Sequence, residues 1–494
     1  MKQVKFSART KTSAAVAILC LGASASAFAQ VDAKVTGRVQ FDARAIDNSY
    51  NAIADRDSAS VGDTFEVRRA RIGVSGKINK DIGYEVVGNG VGGTTNWIDT
   101  AFIDYGFNKK AQIRTGRFKQ PFSLEEMTSS NNIDFMERSY GNQMVPGKRL
   151  GAMMHGEPMK GLTYGVSVYQ DGFNEITNQD SIGTKQAARL TLNLAQLNDI
   201  KDTVLHVGLG YTGGDAKVVP INSTNTQETA SSSTRATIVA MRSEGRGQNN
   251  IYRAQIGGDV LTASRDYGSS ANNAITINQK LRGIEFAGAK GPFKFQMETF
   301  NSKYNASGTI QNLAAPATTQ FAEMGVQVKA DYMELMYNIT GESWADAYRG
   351  GAFSGIKPKT NFMTDYGGQV GMGTGAWQIG FRTSKYSSSV DNTATCTGAA
   401  ETKCETSIDG TNSFTSSGAA ISRVQNAETA RTNTYALNWI LNSNARVMFN
   451  YAETKYGQSI ILLDVNSSTA GTNTLSSGST DKERVISVRT QINF

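Results

Sequence analysis

The sequence predicts an all-β fold, a sixteen-stranded antiparallel transmembrane β-barrel with long outer loops. Three observations carry that prediction. An export leader opens the chain, and stretches of about ten residues then alternate apolar and polar side chains through much of its length. No apolar run after the leader approaches the roughly twenty residues of a membrane helix. Fifty glycines, seven prolines and a negative mean hydropathy suit a barrel with a polar interior. A secreted β-protein of several domains is the competing class.

The leader spans residues 1–29 and the barrel domain 30–494. Lys2, Lys5, Arg9 and Lys11 precede an apolar run at 14–21, and Ala27-Phe28-Ala29 supplies the small residues of a cleavage site. Cys20 sits in the apolar run, but the preceding Leu19 and the better Ala-x-Ala site speak against a lipid anchor there. Removing the leader with its four basic residues lowers the formal charge from +7 to +3, too small an excess to imply nucleic acid as a partner. It also leaves only Cys396 and Cys404, whose Thr/Gly/Ala/Glu surroundings suit a disulfide in an exported loop. No cofactor is expected, and no further ligands stand near that pair to make a metal site.

Strands are expected at 33–44, 64–76, 81–91, 97–107, 110–118, 149–157, 161–170, 186–195, 203–212, 281–289, 292–303, 321–339, 375–386, 431–441, 445–456 and 483–494. The last is the clearest: Ile486, Val488, Thr490, Ile492 and Phe494 share one face, and Ser487, Arg489, Gln491 and Asn493 the other. Phe293, Phe295 and Met297 likewise oppose Lys294, Gln296 and Glu298. An even count returns both termini to one side. The tight connections at 79–80, 108–109, 289–291 and 442–444 fall on that side. The long polar stretches 45–63, 119–148, 213–280, 304–320, 387–430 and 457–482 fall on the other, with 213–280 as a long fifth loop. Two further segments, 251–260 and 361–370, also read as strands and put the count between 16 and 18. The connection 340–374 is long for the terminal side.

The stretch 116–138, GRFKQPFSLEEMTSSNNIDFMER, leaves a strand and starts no other for about thirty residues. Pro121 stops the strand because it has no N–H for the ladder. Ser123 three residues before Glu126 has capping-box spacing, which predicts one or two helical turns over 124–129. A polar tip follows, Thr128 to Asn132 in sequence TSSNN, so the segment reads as a loop folded into the barrel. On the second strand, TFEVRRARIGVSG, Ala70, Ile72 and Val74 suit lipid and send Arg69 and Arg71 inward. Phe65 and Val67 have the opposite phase: either a bulge at Arg68 turns this arginine inward as well, or Phe65 and Val67 lie beyond the membrane. Guanidinium groups on one wall of a narrow lumen attract anions, although any water-filled lumen carries both signs.

On residues 65–70 with the double arginine, 97–105 (WIDTAFIDY), 116–138 and the weaker 335–358 containing TGE and GIKP, the chain resembles the phosphate-selective porin O/P family of trimeric outer-membrane channels. The resemblance implies localisation in the outer membrane of a Gram-negative bacterium, contact with its lipid, a homotrimer, and a third loop at 119–148 that forms the constriction. It also implies an anion site made of Arg68 and Arg69 from the wall, Asp99 from a nearby strand and Ser130 from the loop. Strictly phosphate-selective members carry a lysine after that serine, where this chain has Asn131, and a tyrosine where it has Arg71. Arg235, Arg242, Arg246 and Arg253 are too sparse to match the family's arginine row near the fifth loop, and solvated surface charge is the preferred reading for them.

The leading expectation is a passive anion porin for phosphate or other small phosphorylated or carboxylated solutes. In it Arg68, Arg69 and Arg71 replace part of the anion's hydration, Ser130 and Asn131 supply hydrogen bonds, and Asp99 weakens binding enough for release. A general, weakly selective porin is the alternative. A barrel enzyme would need a base, and His155 and His206, the two histidines, stand in no Ser or Asp constellation and read as strand residues. Adhesion through the long loops is compatible with a porin.

Overall fold

The computed structural model describes residues 32–48, 63–91, 97–171, 183–218, 234–247, 251–258, 275–312, 318–362, 373–390, 422–465 and 475–494. The leader, Cys396 and Cys404 lie outside the described residues, as does 361–370 beyond its first two positions. Sixteen strands close into one antiparallel barrel. They are β1 Asp32–Asn48, β2 Thr64–Lys77, β3 Ile82–Asn89, β4 Ile98–Asn108, β5 Ala111–Lys119, β6 Lys148–Met159, β7 Leu162–Asp171 and β8 Gly183–Asn193. The second half comprises β9 Thr203–Val218, β10 Ile275–Lys290, β11 Phe293–Asn312, β12 Thr318–Asn338, β13 Ala376–Val390, β14 Thr429–Ile440, β15 Ala445–Val465 and β16 Leu475–Asn493.

Each strand coincides with an expected span. Alternation produces them because a membrane leaves no solvent for an unpaired backbone group, so every strand must pair on both edges and still show lipid an apolar face. On β16, Ile486 and Ile492 are 58% and 52% exposed, whereas Arg489 and Gln491 on the other face are buried. That strand pairs with β1 (Val39 opposite Ile492), and the Gly37 N–H donates to the Phe494 carbonyl at 2.8 Å, which closes the ring. The strands β10, β11, β15 and β16 run further outward than the sequence indicates, to Ile275, Asn312, Val465 and Leu475.

Two excursions fill part of the barrel. The segment 251–260, an open candidate for a barrel strand, forms a strand Tyr252–Gly258 outside the barrel wall. It joins Thr234–Met241 and Ser422–Asn426 in a three-stranded sheet. Ile238, Val239, Met241, Tyr252 and Ala254 of this sheet pack with Ile277, Leu281, Phe300, Val326 and Val328 of β10–β12 in one core cluster. Apolar side chains therefore face inward there because protein, not water, covers them.

From the terminal side, the long connection after β12 also turns inward. Within its TGE motif, the Glu342 carbonyl accepts from Asn338 Nδ2 at 2.7 Å, and the Glu342 carboxylate accepts from the Lys359 N–H at 3.1 Å. This clamp projects a short hairpin, Tyr348–Arg349 and Ala352–Phe353. Trp344, Phe353 and Ile356 are buried with Leu124 and Phe135 of the outer infolded loop.

Candidate constriction site

The infolded loop leaves β5 after Lys119. Within that strand Gly116 has a φ of 124° and a close approach that suit only glycine: a Cβ there would meet the Ala101 carbonyl oxygen at 2.2 Å. A single helical turn follows, α1, Leu124–Met127. Ser123 Oγ accepts from the Glu126 N–H at 3.2 Å, the expected N-cap. The reciprocal half of the capping box is absent, because the Glu126 carboxylate instead accepts from Asn142 Nδ2 at 3.0 Å and pairs with Arg138 at 3.1 Å. The barrel wall supplies the remaining caps. Glu298 on β11 accepts from the N–H groups of Leu124 and Glu125 at 2.9 and 2.7 Å.

Beyond α1 the chain crosses to β15, β16 and β1. The carbonyls of Asn131, Ile133 and Met136 accept from Gln491, Arg446 and Arg489 at 3.2, 3.0 and 2.7 Å. Such side-chain donors on two strands hold irregular backbone in a lumen where unpaired carbonyls would be costly. At the far side Gly355 of the inward hairpin segment lies so near the loop that a Cβ would stand 2.8 Å from Asn132 Oδ1.

The ionic groups of the lumen fall into two sets. Arg189, Lys294, Arg382 and Arg489 on β8–β16 have side chains 0–5% exposed and are consumed in anchoring. Arg68, Arg71, Asp99, Arg114, Lys148 and His155 on β2–β6 are 11–24% exposed. The more open charged groups of the lumen therefore lie on β2–β6.

The register between β1 and β2 shifts so that Gln40 opposes Arg69 and Phe41 opposes Val67, which leaves Arg68 as the extra residue of a bulge, as expected. Its Nε and Nη2 donate to the Glu137 carboxylate at 3.2 and 3.3 Å. Arg69 donates to Gln40 Oε1 at 2.8 Å and forms no ion pair among the described residues. Arg71 pairs with Asp99 at 2.6 Å, and Lys148 reaches the same carboxylate. Asp99 itself lies in a second bulge, skipped between the pairs Val87/Thr100 and Gly88/Ile98.

Ser130 Oγ accepts from Arg38 Nη1 at 2.7 Å, and its carbonyl accepts from Gln40 Nε2 at 3.4 Å. Asn131 stands apart from this group. It lines a small cavity with Asn132, Gly355, Arg446 and Asn493, and its amide oxygen is buried without a donor. Five of the six expected residues thus meet on one wall and loop tip, and the sixth faces elsewhere.

Sequence reasoning missed Arg38, Gln40, Arg138, Lys148, Arg242 and Arg246. Arg38 and Gln40 were legible: they alternate with Val35, Val39 and Phe41 and so face the lumen. Arg38 lies directly opposite Arg71, a like-charge cross-strand pair that is unfavourable without an anion between. Arg242 and Arg246, read as solvated surface charge, instead line a cavity of about 600 Å³ together with Arg68, Arg69, Glu137 and Arg138. The tertiary fold of the three-stranded sheet brings them there. Burial weakens the hold of Arg246 on its proton, Glu137 opposes that, and the neighbouring Arg68 and Arg242 add to it.

A closed sixteen-stranded barrel, narrowed by a loop from one side and a hairpin from the other and retaining a charged water path, defines an outer-membrane porin. A family model described as phosphate-selective porin O and P matches residues 33–470, and the chain belongs to that family. It is 26% identical over 366 residues to Porin O of Pseudomonas aeruginosa, covering 71% of each chain. Among solved structures it is similar to the anion-selective porin from Comamonas acidovorans (10% identity, 94% of this chain and 100% of that one, TM-score 0.45). It is also similar to the outer membrane channel DcaP of Acinetobacter baumannii (11% identity, 94% and 98%, TM-score 0.45).

Proposed function

We propose that this porin passes small anions down their gradient and favours phosphate or carboxylate solutes without strict phosphate specificity. The observation that carries the reading is the partnering of its arginines. Among the described residues, Arg38 and Arg69, adjacent to the Ser130 tip, have only neutral hydrogen-bond partners, Ser130 and Gln40. Arg68 and Arg71 are offset by Glu137 and Asp99. In a lumen of low effective dielectric, the two uncompensated guanidiniums dominate the local potential and replace part of an anion's hydration. The Ser130 hydroxyl contributes a hydrogen bond, and Asp99 with Glu137 keeps the well shallow enough for exit.

Asn131 brings no charge to this wall, and Lys148 on Asp99 supplies a cation from a different element instead. A site with two offset arginines fits preference rather than exclusive selectivity. Three copies assemble in this reading, with the leader 1–29 removed on export; cross-linking in outer-membrane extracts tests the trimer. Reversal potentials across a planar bilayer in a KCl gradient test the function. Chloride permeating several times better than potassium is the expected outcome, and potassium preference would defeat the anion reading.

A further inference from the structure

The cavity outside the constriction is more than an entrance. At about 600 Å³ it falls within the range of small-molecule sites, roughly 300–1,000 Å³, and an inorganic anion would fill little of it. Its cations are unequal. Arg68 and Arg246 share Glu137, at 3.2 and 3.6 Å, and Arg138 is held by Glu126 at 3.1 Å. Arg69 from the barrel wall and Arg242 from the infolded outer segment line the same cavity and form no ion pair among the described residues.

Arg242 is also fixed in place while its side chain stays exposed. Its N–H donates to Gln143 Oε1 and its carbonyl accepts from Gln143 Nε2, both at 3.0 Å. The clamped backbone keeps this guanidinium at the chamber and leaves it open to an anionic group. The rest of the lining is mainly polar, with Ser139, Asn142 and Ser243 and a buried Glu244 held by Arg382 at 3.0 Å.

We propose that this chamber is a staging site for organic dicarboxylates, with one carboxylate on Arg69 and the other on Arg242. Each planar guanidinium matches a carboxylate in bidentate fashion, so two such forks on different elements select a solute with two such ends. The proposal rests on the anion-porin reading and narrows it to a solute class.

Block of single-channel chloride current separates the two. Reversal potential is recorded first, without blocker, and tests anion preference alone. Butanedioate, hexanedioate and octanedioate are then titrated beside butanoate, hexanoate, octanoate and inorganic phosphate. At least one dicarboxylate should half-block at about tenfold lower concentration than the monocarboxylate of equal length, the effect of one additional charge-assisted hydrogen-bonded contact. It should also block below phosphate. Arg242→Gln and Arg69→Gln channels, whose insertion into the bilayer itself reports folding, should each narrow that gap to about twofold. Dicarboxylates that block no better than their monoacids, tightest block by phosphate, or a gap that survives Arg242→Gln would each overturn the proposal, even with anion preference intact. Potassium preference in the first recording would overturn both readings.

Discussion

Glu137 gathers four guanidiniums, those of Arg44 and Arg68 at 3.2 Å, Arg489 at 3.3 Å and Arg246 at 3.6 Å. Burial alone would raise its carboxyl, but Arg68, Arg489 and Arg246 outweigh that and hold it well below the ordinary carboxylate range. The sign follows from linkage. A depressed carboxyl contributes stability that is present above its unfolded value, near 4.3, and is lost as pH falls through the lower folded value. Loop docking through Glu137 should therefore persist through pH 5. A change in reversal potential with a midpoint in the ordinary carboxylate range, abolished by Glu137→Gln, would contradict this. At neutral pH the same substitution releases Arg68 and Arg246, and anion preference should rise severalfold.

At the scale of elements, the constriction depends on one helical turn that could not persist alone. Besides the N–H groups of Leu124 and Glu125, Glu298 accepts the Ser123 and Tyr332 hydroxyls at 3.2 and 2.7 Å. Ser123→Ala removes a cap worth about 1 kcal/mol, whereas Glu298→Ala leaves four donors without their acceptor. Open-channel noise should rise slightly in the first variant and strongly in the second, with both still inserting as barrels. The inward hairpin segment has a comparable anchor in Trp344, which is buried, donates from Nε1 to the Pro292 carbonyl at 3.1 Å and packs edge-on to Phe353 at 5.9 Å. Trp344→Ala should cost about 3–5 kcal/mol of local packing and raise single-channel conductance as the segment loosens.

For the whole molecule, the division of the lumen matters more than its net charge. Part of the lumen is filled by the three-stranded sheet, the infolded loop and the hairpin, while the more open charged groups line β2–β6. Selectivity set by such a wall is screened by salt, with a Debye length near 10 Å at 0.1 M and near 3 Å at 1 M. Anion preference measured in a 0.01 to 0.1 M KCl gradient should exceed that in a 0.1 to 1 M gradient. Equal values would locate the selectivity in contact sites alone.

Much of this was legible in the residues. A period of two, broken by turns and free of long apolar runs, fixes a barrel because only that architecture pairs every backbone group within a membrane. Pro121 and the Ser123–Glu126 spacing marked the departing loop and its helical turn, and the opposed phases of Phe65–Val67 and Ala70–Ile72 marked the bulge at Arg68. Alternation is local, however, and says which way a side chain points but not what stands across the lumen. Only the tertiary structure decided that Glu137 and Asp99 offset Arg68 and Arg71, that Arg38 and Lys148 join the site while Asn131 turns away, and that Arg242 reaches the chamber. Electrostatic partners are chosen by distances in the folded lumen between residues tens of positions apart, and no spacing along the chain encodes those distances.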